Sequence, residues 1–227
     1  MTTDVKGGRP YHSPRRAQQA ATTRLEIVRA AQRLFEAQGY APTTMTAIAA
    51  EANVALKTVY LAFETKPRLL RAVWDLALKG DDADAPVAER PWYVAVLEEP
   101  DPERKLRRLA EASCVVKQRI AALLRVIRDA APSDQEIGEL WALIQADFHA
   151  NQGAIIATLD KANALAPGLG AARATDILWT LNHPDIWLLL VGERGWTPKQ
   201  FETWFGDTAI HQLLRTRRSQ RSAHRRT

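Results

Sequence analysis

The spacing of its apolar residues constrains this chain more than any other feature. Leu106, Leu109, Ser113, Val116, Ile120, Leu123 and Ile127 recur at alternating steps of three and four. That step holds side chains on one face of an α-helix, whereas a strand would scatter them over both its faces. The same period returns in Val28, Ala31 and Phe35, and again in Ile137, Trp141, Ile144, Phe148, Ile155 and Leu159. Almost nothing alternates with the period of two that a strand needs. The expected fold class is therefore all-α.

Cap residues, proline and glycine divide the pattern. The polar stretch 1–23, with Lys6, Arg9, Arg15 and Arg16, is expected to be disordered. A first helix is expected over residues 24–38, stopped by Gly39. Two short helices follow over 46–52 and 57–63. A fourth is expected over 66–79, with Thr65 as its cap and Pro67 in its first turn. Residues 80–101, rich in Asp, Pro and Ala, read as a linker. Beyond the long helix of the first stripe, Ser133 and Glu136 form a capping box for the next. Pro167 and Gly168 break the chain. A helix over 172–191 is interrupted at Pro184, and Thr197, Pro198 and Gln200 open the last one with a second capping box.

Charge is unevenly placed along this order. Residues 1–79 carry twelve Lys and Arg against six Asp and Glu, a net +6. Residues 80–214 carry thirteen against twenty, a net −7, and residues 215–227 carry six Arg and no acid. A basic front on an acidic body suggests that the front meets a polyanion. The segment from Thr43 to Phe63, TTMTAIAAEANVALKTVYLAF, has the physics of a helix-turn-helix. Ile48, Ala49 and Ala52 face inward, and the two alanines let a second helix come close. The turn needs a residue that tolerates positive φ, which Asn53 does. Val54 and Val59 fill the gap between the helices, while Lys57, Thr58 and Leu61 point outward. Such a helix fits the major groove, with its N-terminal residues at the base edges.

The stretch from Leu34 to Val73, LFEAQGYAPTTMTAIAAEANVALKTVYLAFETKPRLLRAV, resembles the N-terminal domain of the tetracycline-repressor (TetR-type) family, and the likeness extends over residues 24–79. The resemblance implies a homodimeric regulator with an N-terminal three-helix helix-turn-helix domain that binds double-stranded DNA. It also implies a C-terminal helical domain for ligand binding and dimerisation. The family's usual behaviour is repression, relieved when a small-molecule effector binds. Carried over by position, Thr44 caps the first helix of the motif and Thr46 lies at its exposed start. Ala55, Leu56, Lys57 and Thr58 lie at the base-reading end. Tyr60 would hydrogen-bond a phosphate, and Lys66 would open the fourth helix against the DNA backbone. Asn53 and Lys57 stand where glycine is common in the family, and Ala62 stands where an aromatic residue or histidine often sits. The chain then divides into a basic arm (1–20), a DNA-binding domain (21–80), an effector and dimer domain (81–214) and a disordered basic tail (215–227).

In the effector domain, Gln118, Gln145, His149, Asn182 and His183 sit among apolar neighbours, and Trp141, Phe148 and Trp179 offer ring walls. A few polar groups converging in an apolar cavity orient a ligand, so these eight are the candidate effector pocket. The last two helices are the candidate dimer seam, a four-helix bundle about a two-fold axis. Two reading heads on such a dimer call for an inverted-repeat operator. No phosphate-cradling glycine loop, nucleophile elbow or helical pair of metal ligands is present, so an enzyme is not expected, nor a metal or cofactor beyond the effector. The lone Cys114 allows no internal disulfide and reads as packing. The longest aliphatic run, Trp187 to Val191, is too short to span a bilayer, so no membrane partner and a cytoplasmic location are expected. The alternative reading is an effector-binding or interaction module without specific DNA binding.

Overall fold

The computed structural model describes residues 14–80 and 87–215. Among these residues the fold is all-α, with one isolated antiparallel bridge between Leu165 and Leu214. Two compact units meet in sequence between Val73 and Trp74. That boundary falls inside the fourth helix and not in the linker that follows it.

The first unit is built from α1 (Pro14–Gln38), α2 (Met45–Glu51), α3 (Leu56–Phe63) and the start of α4 (Lys66–Lys79). α1 begins well before the expected residue 24. Its early turns, Arg15 to Ala20, are wholly exposed, so no apolar period marks them. Helix-favouring Arg, Ala and Gln behind a helix-starting proline account for the extension. The expected arm is thus helical from residue 14, and residues 1–13 lie outside the described residues. Gly39, at φ 84°, ends the helix with its amide on the Phe35 carbonyl. Ile27, Ala31 and Phe35 of α1, Ile48 and Ala49 of α2, Val59 and Phe63 of α3, and Leu69, Leu70 and Val73 of α4 are all buried.

The second unit holds α5 (Pro91–Glu98), α6 (Pro102–Ala130), α7 (Gln135–Lys161), α8 (Ala171–Leu181), α9 (Pro184–Trp187) and α10 (Pro198–Leu213). Part of the expected linker is therefore helix. α5 buries Tyr93 and Val96, and the Tyr93 hydroxyl donates to the Asn151 carbonyl at 2.6 Å. Trp92, Tyr93, Val94, Val96 and Leu97 crowd apolar groups around so short a helix that no face stands out in sequence. The cap of α7 also differs from expectation. Asp134 accepts from the Ile137 amide at 3.3 Å, while the Ser133 hydroxyl donates to the Ala130 carbonyl. The expected break at Pro184 is present, and after α9 the chain widens into a π turn, Leu188–Glu193. The capping box of Thr197 and Gln200 opens α10 as expected. α10 spends its apolar face inside its own unit, with Phe201, Phe205, Ala209 and Leu213 fully buried. Arg215 is not part of a loose tail, since its amide donates to Ala164 and its guanidinium to Leu165. The rest of the expected tail, 216–227, lies outside the described residues.

Candidate functional site

The reading surface is assembled from α2, its turn and α3. The Thr44 hydroxyl accepts from the Ala47 amide at 3.0 Å and starts α2, leaving Thr46 exposed on its first turn. The turn is a Schellman motif: Val54 N–H bonds to the Ala49 carbonyl and Asn53 N–H to the Ala50 carbonyl. It requires left-handed backbone at its centre, and Asn53 supplies φ 54°. That geometry delivers α3 with Val59 at 0% and Phe63 at 3% exposure against the core. The opposite side is bare. Leu56, Tyr60 and Leu61 are exposed by 37%, 49% and 76%, and Ala55 and Lys57 are exposed beside them. Thr58 is half-buried.

Two cations hold this head in place. Lys66 donates to the carbonyls of Tyr40 and Thr43, each at 3.0 Å, and its ammonium lies 4.0 Å from the Tyr40 ring centre. The structure thus places Lys66 as a staple between α4 and the loop before α2. Arg24 of α1 rests 4.1 Å over the Phe63 ring and donates to the Ala62 carbonyl at 2.5 Å, satisfying the end of α3. Sequence reasoning missed Arg24, because an arginine on an exposed helical position carries no signal of its partner.

Residues 27–73 match the family model described as bacterial regulatory proteins, tetR family. The likeness to the tetR family is carried by that segment. A likeness of fold extends further, over 86–87% of this chain. A structure described as a TetR-family transcriptional regulator from Mesorhizobium loti is 21% identical with a TM-score of 0.67, over 86% of this chain and 98% of that one. NalD of Pseudomonas aeruginosa, described as the secondary repressor of the MexAB-OprM multidrug efflux pump, is 21% identical with a TM-score of 0.66, over 87% and 98%. A transcriptional regulator from Saccharomonospora viridis, solved with choline, is 18% identical with a TM-score of 0.66, over 86% and 98%. Comparison with curated proteins finds no match. Among the described residues no helix is long and apolar enough to cross a membrane.

In the second unit, five of the eight expected pocket residues come together. The His183 ring lies 5.0 Å from Trp179 and 6.2 Å from Phe148, centre to centre. Its Nδ1 accepts from the Asp185 amide, so Nε2 carries the proton and donates to the Gln145 side chain at 3.3 Å. Burial holds its pKa below the usual histidine value, against the pull of Asp185. His149 stacks edge-on at 6.1 Å from Trp179 and pairs with Asp176 at 3.0 Å. Among the described residues the buried Trp179 Nε1 has no hydrogen-bond partner. Trp141 is half-buried one helical turn before Gln145. Gln118 stands apart: it is exposed, and its amide donates to the Cys114 carbonyl of its own helix.

Asn182 turns instead into the core, where it meets a residue that sequence reasoning missed. Lys117 is 4% exposed and hydrogen-bonds the Asn182 carboxamide oxygen. The Asn182 amide in turn donates to the Gln152 side chain at 3.2 Å. Burial drives the Lys117 pKa down to about 7. The signal was available in the stripe: Lys117 lies four residues after Ser113 and three before Ile120. The structure seats Lys117 there, while Val116 is only half-buried. The Cys114 thiol, one turn earlier, is pushed up to about 11 by burial.

Proposed function

We propose that this regulator is a homodimeric repressor that grips an inverted-repeat operator and releases it when a small organic effector enters the second unit. The observation that carries the reading is the outer side of α3. Leu56, Tyr60 and Leu61 stand exposed beside Lys57 on a helix of eight residues whose other side is anchored by Val59 and Phe63. Exposed apolar groups on a rigid helix suit thymine methyls and base edges, while Lys57 and Tyr60 suit guanine or phosphate oxygens. Two such helices, one per protomer, fit half-sites about 34–36 Å apart, one turn of duplex. Repression is described for NalD, and the Saccharomonospora regulator was solved with a small molecule, which supports both halves of the reading. The ring-lined cluster of Gln145, Phe148, Trp179 and His183 is the effector wall, with Trp141 and His149 at its margin. α4 carries the coupling, since one unbroken helix runs from Lys66 to Lys79, past the boundary between units. A coupling of about 1–3 kcal/mol gives a 5–150-fold change in operator affinity. A regulator of chromosomal DNA works in the cytoplasm.

Selection of bound duplexes from a random pool by the purified chain tests the proposal. The expected product is an inverted repeat, retained at moderate salt. A chain that enriches no sequence over competitor overturns it and leaves an effector-binding module without specific DNA binding.

A further inference from the structure

The Lys117 side chain is a cation without a counter-ion, built into the middle of the second unit. It rises from α6 between α8, which brings Asn182, and α10, which brings Phe201 and Phe205 with ring centres 5.6 and 5.8 Å from the ammonium. An ammonium has three N–H donors. Among the described residues its hydrogen-bond partner is Asn182 alone, and no Asp or Glu pairs with it. Burying a charge in this way is costly unless an opposite charge joins it. The feature therefore destabilises the ligand-free core, and packing does not require it: a methionine has nearly the same reach and no charge.

We infer that Lys117 is the seat for the anionic group of the effector, which is an apolar monocarboxylic acid. The inference rests on the effector reading above and names the ligand's chemistry. The Asn182 oxygen already occupies one position that a carboxylate oxygen would take, as a neutral placeholder held by Gln152. A carboxylate would satisfy the spare N–H donors and supply the missing charge, and charge-assisted bonds are about twice as strong as neutral ones. One amine balances one negative charge. The surroundings of Phe201, Phe205 and Trp187, whose ring is 5.1 Å from Phe201, suit an apolar body. The ring cluster begins at His183, the residue next to Asn182, and its electrostatics already register Lys117.

The test uses the full-length chain bound to a fluorescent duplex obtained by the selection described above. A library of apolar monocarboxylic acids, from acetate to decanoate and including phenylacetate and benzoate, is titrated beside the matching primary amides at fixed pH and ionic strength. Uncharged and cationic compounds of similar size complete the library. The expected result is release of the duplex by one or more acids, at concentrations about 10- to 100-fold below the matching amides. The acid's advantage should vanish in Lys117→Met, with duplex affinity in the absence of acid retained. Release by amides, neutral compounds or amines with no advantage for any acid overturns the anion seat and leaves the effector reading standing. An acid that releases Lys117→Met as well as the wild type also overturns it. Release by no compound overturns both. If Lys117→Met does not fold, the acid-against-amide comparison on the unaltered chain decides alone.

Discussion

Asn53 sits at φ 54° in the turn of the reading head, a backbone region that costs a residue with a Cβ about 1–2 kcal/mol. Asparagine tolerates it better than most, which makes the site readable in both directions. Asn53→Gly is expected to leave stability unchanged or raise it by up to ~1 kcal/mol, and Asn53→Val to lower it by at least ~1 kcal/mol. Urea unfolding of the two variants checks this; equal midpoints would show that the turn carries no left-handed strain. Lys117 makes a second prediction, through pH. In the unfolded chain it keeps its proton up to about its ordinary 10.5, whereas in the folded chain it loses it near 7. Between these values the unfolded state binds more protons, so this residue makes stability rise with pH. Below about 7 both states are protonated and the slope vanishes. From pH 7 to 8.5, clear of the Cys114 thiol, unfolding free energy should climb more steeply in the wild type than in Lys117→Met. Parallel curves would contradict a buried, uncompensated amine.

α3 separates stability from recognition on its two sides. Leu61 is exposed and makes nothing of the core, so Leu61→Ala should change stability by less than ~0.5 kcal/mol while weakening operator binding. Ile48 of α2, fully buried behind it, should cost about 2–5 kcal/mol when cut to alanine. Thermal unfolding and a gel shift on the same preparations distinguish the two. Loss of binding only in proportion to loss of folding would mean that α3 does not read DNA. Lys57→Ala should flatten the dependence of affinity on salt by about one counter-ion per protomer if the side chain meets a phosphate. An unchanged slope with altered base preference would instead place it on guanine.

At the scale of the molecule, residues 1–79 carry a net +6 and residues 80–214 a net −7. On the proposed reading, two half-sites take two copies of the first unit. Sedimentation is therefore expected to give a dimer, and footprinting a protected palindrome with half-sites about one turn apart. A monomer bound to a single half-site would sink the symmetry argument. The faces available for that dimer are narrower than the amphipathic pattern implied, because α10 has already spent Phe201, Phe205, Ala209 and Leu213 on its own core. Trp204 and Ile210 remain half-buried on that helix.

Local physics sufficed for much of this protein. A residue's neighbours at three and four along the chain decide its helical face, so the stripes of α6 and α7 and the inward set Ile48, Ala49 and Val59 were legible. So were the caps at Thr44 and Thr197 and the turn at Asn53, because these bonds close within a few residues. Packing between distant segments decided the rest. The two polar rows, Lys117 with Asn182 and Gln152, and His183 with Gln145, join residues 30 to 65 apart in sequence. Arg24 finds the end of α3 across 38 residues, and Lys66 finds the Tyr40 and Thr43 carbonyls across 26 and 23. Periodicity says which way a side chain points along its own helix; only the assembled bundle decides which group it meets, and so whether a charge is solvated, paired or left waiting for one.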